Sequence, residues 1–510
     1  MRHFSTIGLL AVLCAVLTAP AMAAGMGVAD ARHLLVRTGF GATPEEIQRF
    51  SALSREAAVD QLLQPAAGLP VTPLPDNLQG AAGRPTTRLN EQERREYVFD
   101  QRLRNADLRA WWLTEMLHTP APLVERMTLF WHNHFVSSER KVRQVSLMRD
   151  QNQLFRQYAL GNFGTLLHAA SKDPAMLLYL DAATNRAGAP NENFAREVME
   201  LFTLGEGHYT EADIKEAARA FTGWSIDRRL GTMEFRKAWH DGGEKRIFGK
   251  TGTFDGDDVL DLLLARPETS RFVIGKLWRE FVSPTPDAAE VERVARVFRE
   301  QRYELKPALR ALLLSKDFWS DANRGALIKS PVEMVVGTLR TLQIDVPDAL
   351  PFLRTLREQG QELLAPPNVK GWPGHDAWIN ASTLLERKQF LERLARAEEL
   401  GSMLPPAAIE RREQRVASAA QAPDEAMDAP ARQQLRQQRQ AQLQQRVLSA
   451  VQAIRIPSGA WQQTLSRTGL QAEDVVWASG HEAPTPMMAA ANSVPRDLRS
   501  LLLDPVYQIK

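Results

Sequence analysis

Apolar side chains that return every third or fourth position leave a chain one regular way to bury them, and the segment from Asn191 to Gly205 shows this period clearly. Phe194, Val198, Leu201 and Phe202 recur at i, i+4, i+7 and i+8, which places them on one face of an α-helix. Asn193, Glu197 and Glu200 fall on an arc at the edge of that face, where a helix meets its neighbours. Glu192, Arg196 and Glu200 are spaced to form an i, i+4, i+8 ion-pair ladder. Glu197 has Asn193 and Leu201 four positions away and so lacks a partner in its own helix. A second helix follows: Thr210-Glu-Ala-Asp213 reads as a capping box, Ile214, Ala217, Ala218 and Phe221 form its stripe, and Gly205-Glu-Gly207 turns the hairpin.

The same period extends over most of the chain. Helices are expected at 143 to 170, 257 to 282, 287 to 314, 331 to 343 and 380 to 400. Helical periodicity also covers Glu91 to Phe135, with Trp111, Trp112, Leu117, Leu123, Met127 and Phe130 as core candidates. Two short helices fit residues 30 to 63, starting at Asp30 and Thr43-Pro44. Residues 64 to 90 are rich in Pro, Gly and Ala and read as a surface loop. Strand signals are sparse, the best being Met233 to Trp239. The fold expected is mainly α, a large multi-helix body with long loops and little or no sheet, spanning residues 30 to 400. Residues 401 to 450, rich in Gln, Arg and Ala, read as a linker or solvated helix, and 451 to 510 as a C-terminal extension.

The first residues combine Arg2, an apolar run from Ile7 to Leu17 and Ala21-Met-Ala23, the three regions of a secretory signal peptide over residues 1 to 23. The run is too short for a permanent bilayer span. The single cysteine, Cys14, lies inside it, so a chain cleaved there holds no thiol and suits a periplasmic or extracellular setting. No transmembrane segment is expected after cleavage. The net charge of +2 includes Arg2, and no basic block breaks the balance in the core, so nucleic acid is not an expected partner.

Chemistry-bearing residues gather in few places. His132 and His134 bracket Asn133; in a regular helix such residues point about 200° apart, so both reach one ion only where the helix ends or distorts. His134 continues the Leu123, Met127, Phe130 stripe, which makes it either a hydrogen-bonded core histidine or a metal ligand. His240-Asp241 and His375-Asp376 sit in glycine-flanked loops, the second within Gly371-Trp-Pro-Gly-His-Asp-Ala-Trp378, where Trp372 can plug the body or meet a sugar-like ligand. The run from Gly243 to Thr251 has five residues between its glycines where a phosphate loop needs four. Ser138-Glu-Arg-Lys141 with Lys250-Thr-Gly252 echoes serine enzymes of another fold class. Asp255-Gly-Asp-Asp258 lacks the glutamate of a calcium loop and reads as a helix start.

The hairpin wording resembles the central signature of a helical family, domain of unknown function 1800. So do Leu34-Leu-Val-Arg-Thr-Gly-Phe-Gly-Ala42, Phe130-Trp-His-Asn-His-Phe135, Asp173-Pro-Ala-Met-Leu-Leu-Tyr-Leu-Asp181, His240 to Lys250, Ile328-Lys-Ser-Pro-Val-Glu333 and Pro366-Pro-Asn-Val-Lys-Gly-Trp-Pro373. The resemblance implies an exported bacterial protein, often encoded beside a sulfatase-like partner, and no established reaction. Two functions are in view. One is a metal-dependent hydrolase, with Glu197, Glu200, His132 and His240 as catalytic candidates, Asn191, Asn193, Arg196, Asp241, Trp372 and His375 as binding candidates, and His134 as the candidate ligand of a divalent metal. The other is a non-catalytic scaffold or binding partner of a sulfatase-like protein, in which the same residues form a buried ion-pair network.

Overall fold

The computed structural model describes residues 25–64, 70–80, 90–227, 230–400, 441, 444–455, 460–471, 474–475 and 498–510. Residues 1 to 23, expected as a signal peptide, and most of the 401 to 450 stretch expected as a linker or solvated helix lie outside these residues. Helices dominate, joined by two small antiparallel hairpins, Trp224–Asp227 with Thr232–Phe235 and Lys245–Ile247 with Lys250–Gly252. The mainly α class is therefore observed. The stretch expected as a strand to Trp239 ends at Phe235 and continues as a 3-10 turn over Lys237–Trp239.

Helix starts fall where side chains can satisfy free backbone amides. Thr43 with Glu46, Thr210 with Asp213, Asp255 with Asp258 and Ser330 with Glu333 all close capping boxes. Three expected long helices are each broken in two. Val145–Gln157 and Phe163–Ser171 part around Gly161, and Gly256–Leu264 and Pro267–Phe281 part at the residue before Pro267, which proline keeps out of helical backbone. Ala288–Glu300 and Leu305–Leu313 part at Arg302 and Tyr303, which hold φ of 49° and 66° without being glycine. Residues 30 to 63 likewise hold three helices rather than two, Val28–Thr38, Pro44–Ser51 and Arg55–Leu63.

The core is one aromatic mass. Trp131, Phe135, Phe155, Phe163 and Phe202 touch one another at ring separations of 5.1 to 6.2 Å, and all six core candidates of the 91 to 135 segment are buried. The expected loop is pinned where described: Arg149 donates to the carbonyls of Leu78 and Gly80, and Glu115 accepts from the amides of Val71 and Thr72.

The C-terminal part is woven into the same body. Residues 444–453 are helical, with Arg446 paired to Asp107 and Asp348. Leu498–Leu503 packs on Ala381–Leu400 with Leu501 and Leu502 fully buried. Beyond it, Lys510 N donates to Leu327 O at 2.8 Å, and Gln508 O accepts from Lys329 N at 2.8 Å.

Candidate functional site

The signature helix begins as expected and then departs from the 3.6-residue period. Asn191 caps it, its side chain accepting from Phe194 N and donating to Leu180 O, so this binding candidate spends its amide on structure. Glu192–Glu197 is α-helical, but Val198–Thr203 is a π-turn in which Leu204 N reaches back five residues to Met199 O at 2.7 Å. The extra residue rotates all that follows. Met199, outside the expected stripe, is fully buried, while Leu201, inside it, is only partly so.

The ladder of Glu192, Arg196 and Glu200 does not form. Arg196 instead holds Glu211 of the next helix with two bonds of 2.8 Å, and Glu200 accepts from the Tyr209 hydroxyl at 2.5 Å. Glu197 is half-buried, and its carboxylate accepts no hydrogen bond among the described residues. Burial and the nearby Glu200 raise its pKa against the pull of Arg196 and Lys370.

The π-turn points its carbonyls at two side chains from other helices. Lys276 Nζ donates to Leu201 O at 3.0 Å, and His134 Nε2 donates to Phe202 O at 3.0 Å. With Nε2 carrying the hydrogen, His134 Nδ1 is free to accept from Lys276 Nζ, 3.3 Å away. The imidazole is neutral, since burial and Lys276 hold its pKa well below the usual range. Burial, helped by Arg279, also brings the Lys276 ammonium down to about 7.

Lys276 and His134 stand on the wall of a cavity of about 270 Å³, closed on the far side by the 370–378 loop. Among the described residues neither Lys276 nor Arg279 has a carboxylate partner. The other charges are matched: Arg126 binds Glu280 at 2.6 Å and also Glu333, and Lys510 binds Glu333. Trp372 contributes an indole Nε1 that is buried without an acceptor. Its backbone is fixed by Asn133, whose Oδ1 accepts from Trp372 N at 2.7 Å. A larger open groove of about 720 Å³, with Glu200, His208 and Phe272 on its wall, shares Lys276, Arg279 and Lys370 with this cavity. The arrangement is a cationic cleft walled by His134, Lys276, Arg279 and the 370–378 loop, and the distorted signature helix lines the adjoining outer groove.

The chain matches the family described as "Protein of unknown function (DUF1800)" over residues 33–492. It belongs to that family. No curated protein and no solved structure matches this DUF1800 chain. The family match runs well past residue 400, in keeping with a C-terminal part that is packed into the body.

The sequence candidates of the DUF1800 chain separate into groups. His134, Trp372 and His375 meet in the cleft, where burial first of all lowers the pKa of His375. Glu200 lines the outer groove, and Asn193 is exposed nearby in sequence. His132 lies elsewhere in the core: its ring is 4.7 Å from those of Trp112 and Phe155, Asn152 Nδ2 donates to its Nε2, and burial pushes its pKa down to about 3. His240 and Asp241 form a separate surface corner. There His240 Nδ1 meets Thr222 O at 2.9 Å, and the Arg219 guanidinium draws the Asp241 carboxyl down to about 2. Among the described residues no three His, Cys, Asp or Glu side chains gather as a metal-ligand cluster. Arg126, Lys276 and Arg279 were not singled out by sequence pattern, because a basic residue on an amphipathic helix ordinarily marks a solvated face; Lys370 lies within the Pro366 to Pro373 motif but was not marked as a candidate.

Proposed function

We propose that this protein is an exported binding protein for an anionic ligand, whose negative head sits in the cleft against Lys276 and Arg279. The observation that carries this reading is that two cations without a carboxylate partner among the described residues, Lys276 and Arg279, line one cavity together with Trp372, whose buried indole N–H has no acceptor. Trp372 and Trp378 on the same wall suit a ligand with a sugar-like ring behind its charge. A sulfate or phosphate ester has this chemistry, and a sulfate ester accords with the sulfatase-like partner that the family resemblance implies. The signal-like segment and the thiol-free remainder support a periplasmic or extracellular setting. Among the described residues no helix is long and apolar enough to cross a membrane.

Calorimetric titration with inorganic sulfate, phosphate and a sulfated monosaccharide tests the reading. Binding should weaken about tenfold or more in Arg279→Ala, the cost of one charge-assisted hydrogen bond. No heat from any of the three with the wild type would remove the proposal.

A hydrolytic reading is favoured by one specific feature, the Lys276 amine that exchanges protons near neutrality beside His134, with the perturbed Glu197 on the adjoining helix. Nitrophenyl sulfate and nitrophenyl phosphate are the substrates to try, with or without an added divalent metal. Turnover lost in Glu197→Gln at unchanged Tm supports catalysis; a lowered Tm with no turnover in either protein supports the scaffold.

A further inference from the structure

Behind the cleft, the interior collects more positive charge than its carboxylates neutralise. The Val28–Thr38 helix brings in Arg32, His33 and Arg37, and residues 324 to 329 bring in Arg324 and Lys329. Most of these groups are accounted for. Arg37 donates to the carbonyls of Phe281, Val282 and Asn323, Arg324 binds Asp30, and His33 Nε2 meets Phe318 O at 2.8 Å with its pKa pushed down by burial to about 2. Two groups are not. Arg32, 5% exposed, has no hydrogen bond or ion pair to a carboxylate among the described residues, and Asp474 acts on it only from beyond ion-pair distance. Lys329 Nζ has no acceptor among them either and rests 3.8 Å from the centre of the Tyr507 ring.

Arg32 and Lys329 line one small cavity of about 30 Å³, together with Arg324, Lys510, Tyr507 and Glu333. Since about 10 to 15 Å³ of such space holds one water, the volume admits two or three water-sized species, too little for a sugar-sized anion. Water would satisfy N–H donors there but would leave the charge, and an uncompensated buried charge is among the costliest features a fold can carry. Deprotonation does not remove it either. Burial and Arg32 lower Lys329 to about 7, but burial and Arg324 bring Arg32 only to about 9, so the guanidinium remains charged at neutral pH.

We propose that this cavity is a built-in site for a monatomic anion, chloride in the natural setting, held between Arg32 and Lys329. The site is distinct from the ligand cleft; Glu333 and Lys510 line both and form the wall between them. The anion acts structurally, joining the Val28–Thr38 helix, residues 324 to 329 and the segment ending at Lys510 through one charge.

The test uses the full-length protein in sodium chloride, bromide and gluconate at equal ionic strength. Tm should be higher by several degrees in either halide and rise with halide concentration. Anomalous diffraction from crystals grown in bromide should place one bromide between Arg32 and Lys329. The halide dependence should vanish in Arg32→Met, or in Lys329→Met should the first variant fail to fold, and persist in Arg279→Ala, which alters only the cleft. Equal Tm in the three salts, an empty cavity in the bromide crystals, or an undiminished halide effect in the folded variant would each overturn the proposal.

Discussion

His132 and His134 stand two residues apart on one helix and play different parts, because a helix sends such neighbours to different surroundings. His132 is locked among Trp112, Phe155 and Asn152, remote from solvent. His132→Ala should therefore cost about 2 to 5 kcal/mol of stability in urea unfolding, as a core truncation does, while anion affinity in the cleft stays unchanged. Lys276 belongs to the proposed anion site instead. Its pKa of about 7 means that the free protein carries this one of the cleft charges below that pH and loses it above. Anion affinity should fall as pH rises through about 7, and calorimetry on Lys276→Met should show weaker binding without that pH dependence. Glu333 has the opposite linkage sign. Burial opposes its ionisation, but Arg126 and Lys510 prevail and depress its folded pKa from 4.5 to about 2. Its contribution is then present above pH 4.5 and lost as the pH falls toward 2. Glu333→Gln should flatten that acid limb of the Tm profile and cost about 3 to 5 kcal/mol at neutral pH, since it strands buried cations.

Among the elements, the π-turn of the signature helix positions two side chains of the cleft and lines the outer groove beside it. Its period of five moves Met199 inward and offers the Leu201 and Phe202 carbonyls to Lys276 and His134. A sequence read at 3.6 residues per turn cannot show this, and the Glu192, Arg196, Glu200 ladder failed for the related reason that Glu211 on the neighbouring helix offers Arg196 a two-bonded partner. That pair is largely exposed and screened by solvent, so Glu211→Ala should leave the urea unfolding midpoint essentially unchanged. The 370–378 loop is less forgiving. Gly371 has a φ of +90°, and a Cβ there would lie 2.2 Å from Asn133 Oδ1, the acceptor that fixes Trp372. Gly371→Ala should cost about 1 to 3 kcal/mol through backbone strain alone. It should also weaken anion binding by displacing the indole, an effect that calorimetry reads separately from Tm.

At the scale of the whole molecule, the segment from Leu498 to Lys510 closes the body instead of extending it. It buries Leu501, Leu502 and Tyr507, and it supplies Lys510 to the Glu333 and Arg126 network on the wall of the cleft. At about 1.5 to 3 kcal/mol for each large side chain buried, deleting residues 498–510 should remove about 5 kcal/mol or more. Urea unfolding of the truncated protein measures this, and a midpoint equal to that of the full chain would show that the segment does not brace the cleft.

The sequence by itself determined the local structure: the helical class, the core residues of the 91 to 135 segment, and helix starts at Thr43, Thr210 and Asp255. Each depends on periodicity or on a side chain bonding to its own neighbours, and such information is local. It also carried the family, through motifs spread from Leu34 to Pro373. Only the tertiary structure decided where the charges go. Lys276, Arg279, Arg32 and Lys329 look like solvent-facing cations in sequence, and they become candidate binding groups because packing sets them along the walls of cavities while the nearby carboxylates are already claimed. The cost of an unpaired charge depends on burial and on partners far away in the chain, and neither is written in the residues around it.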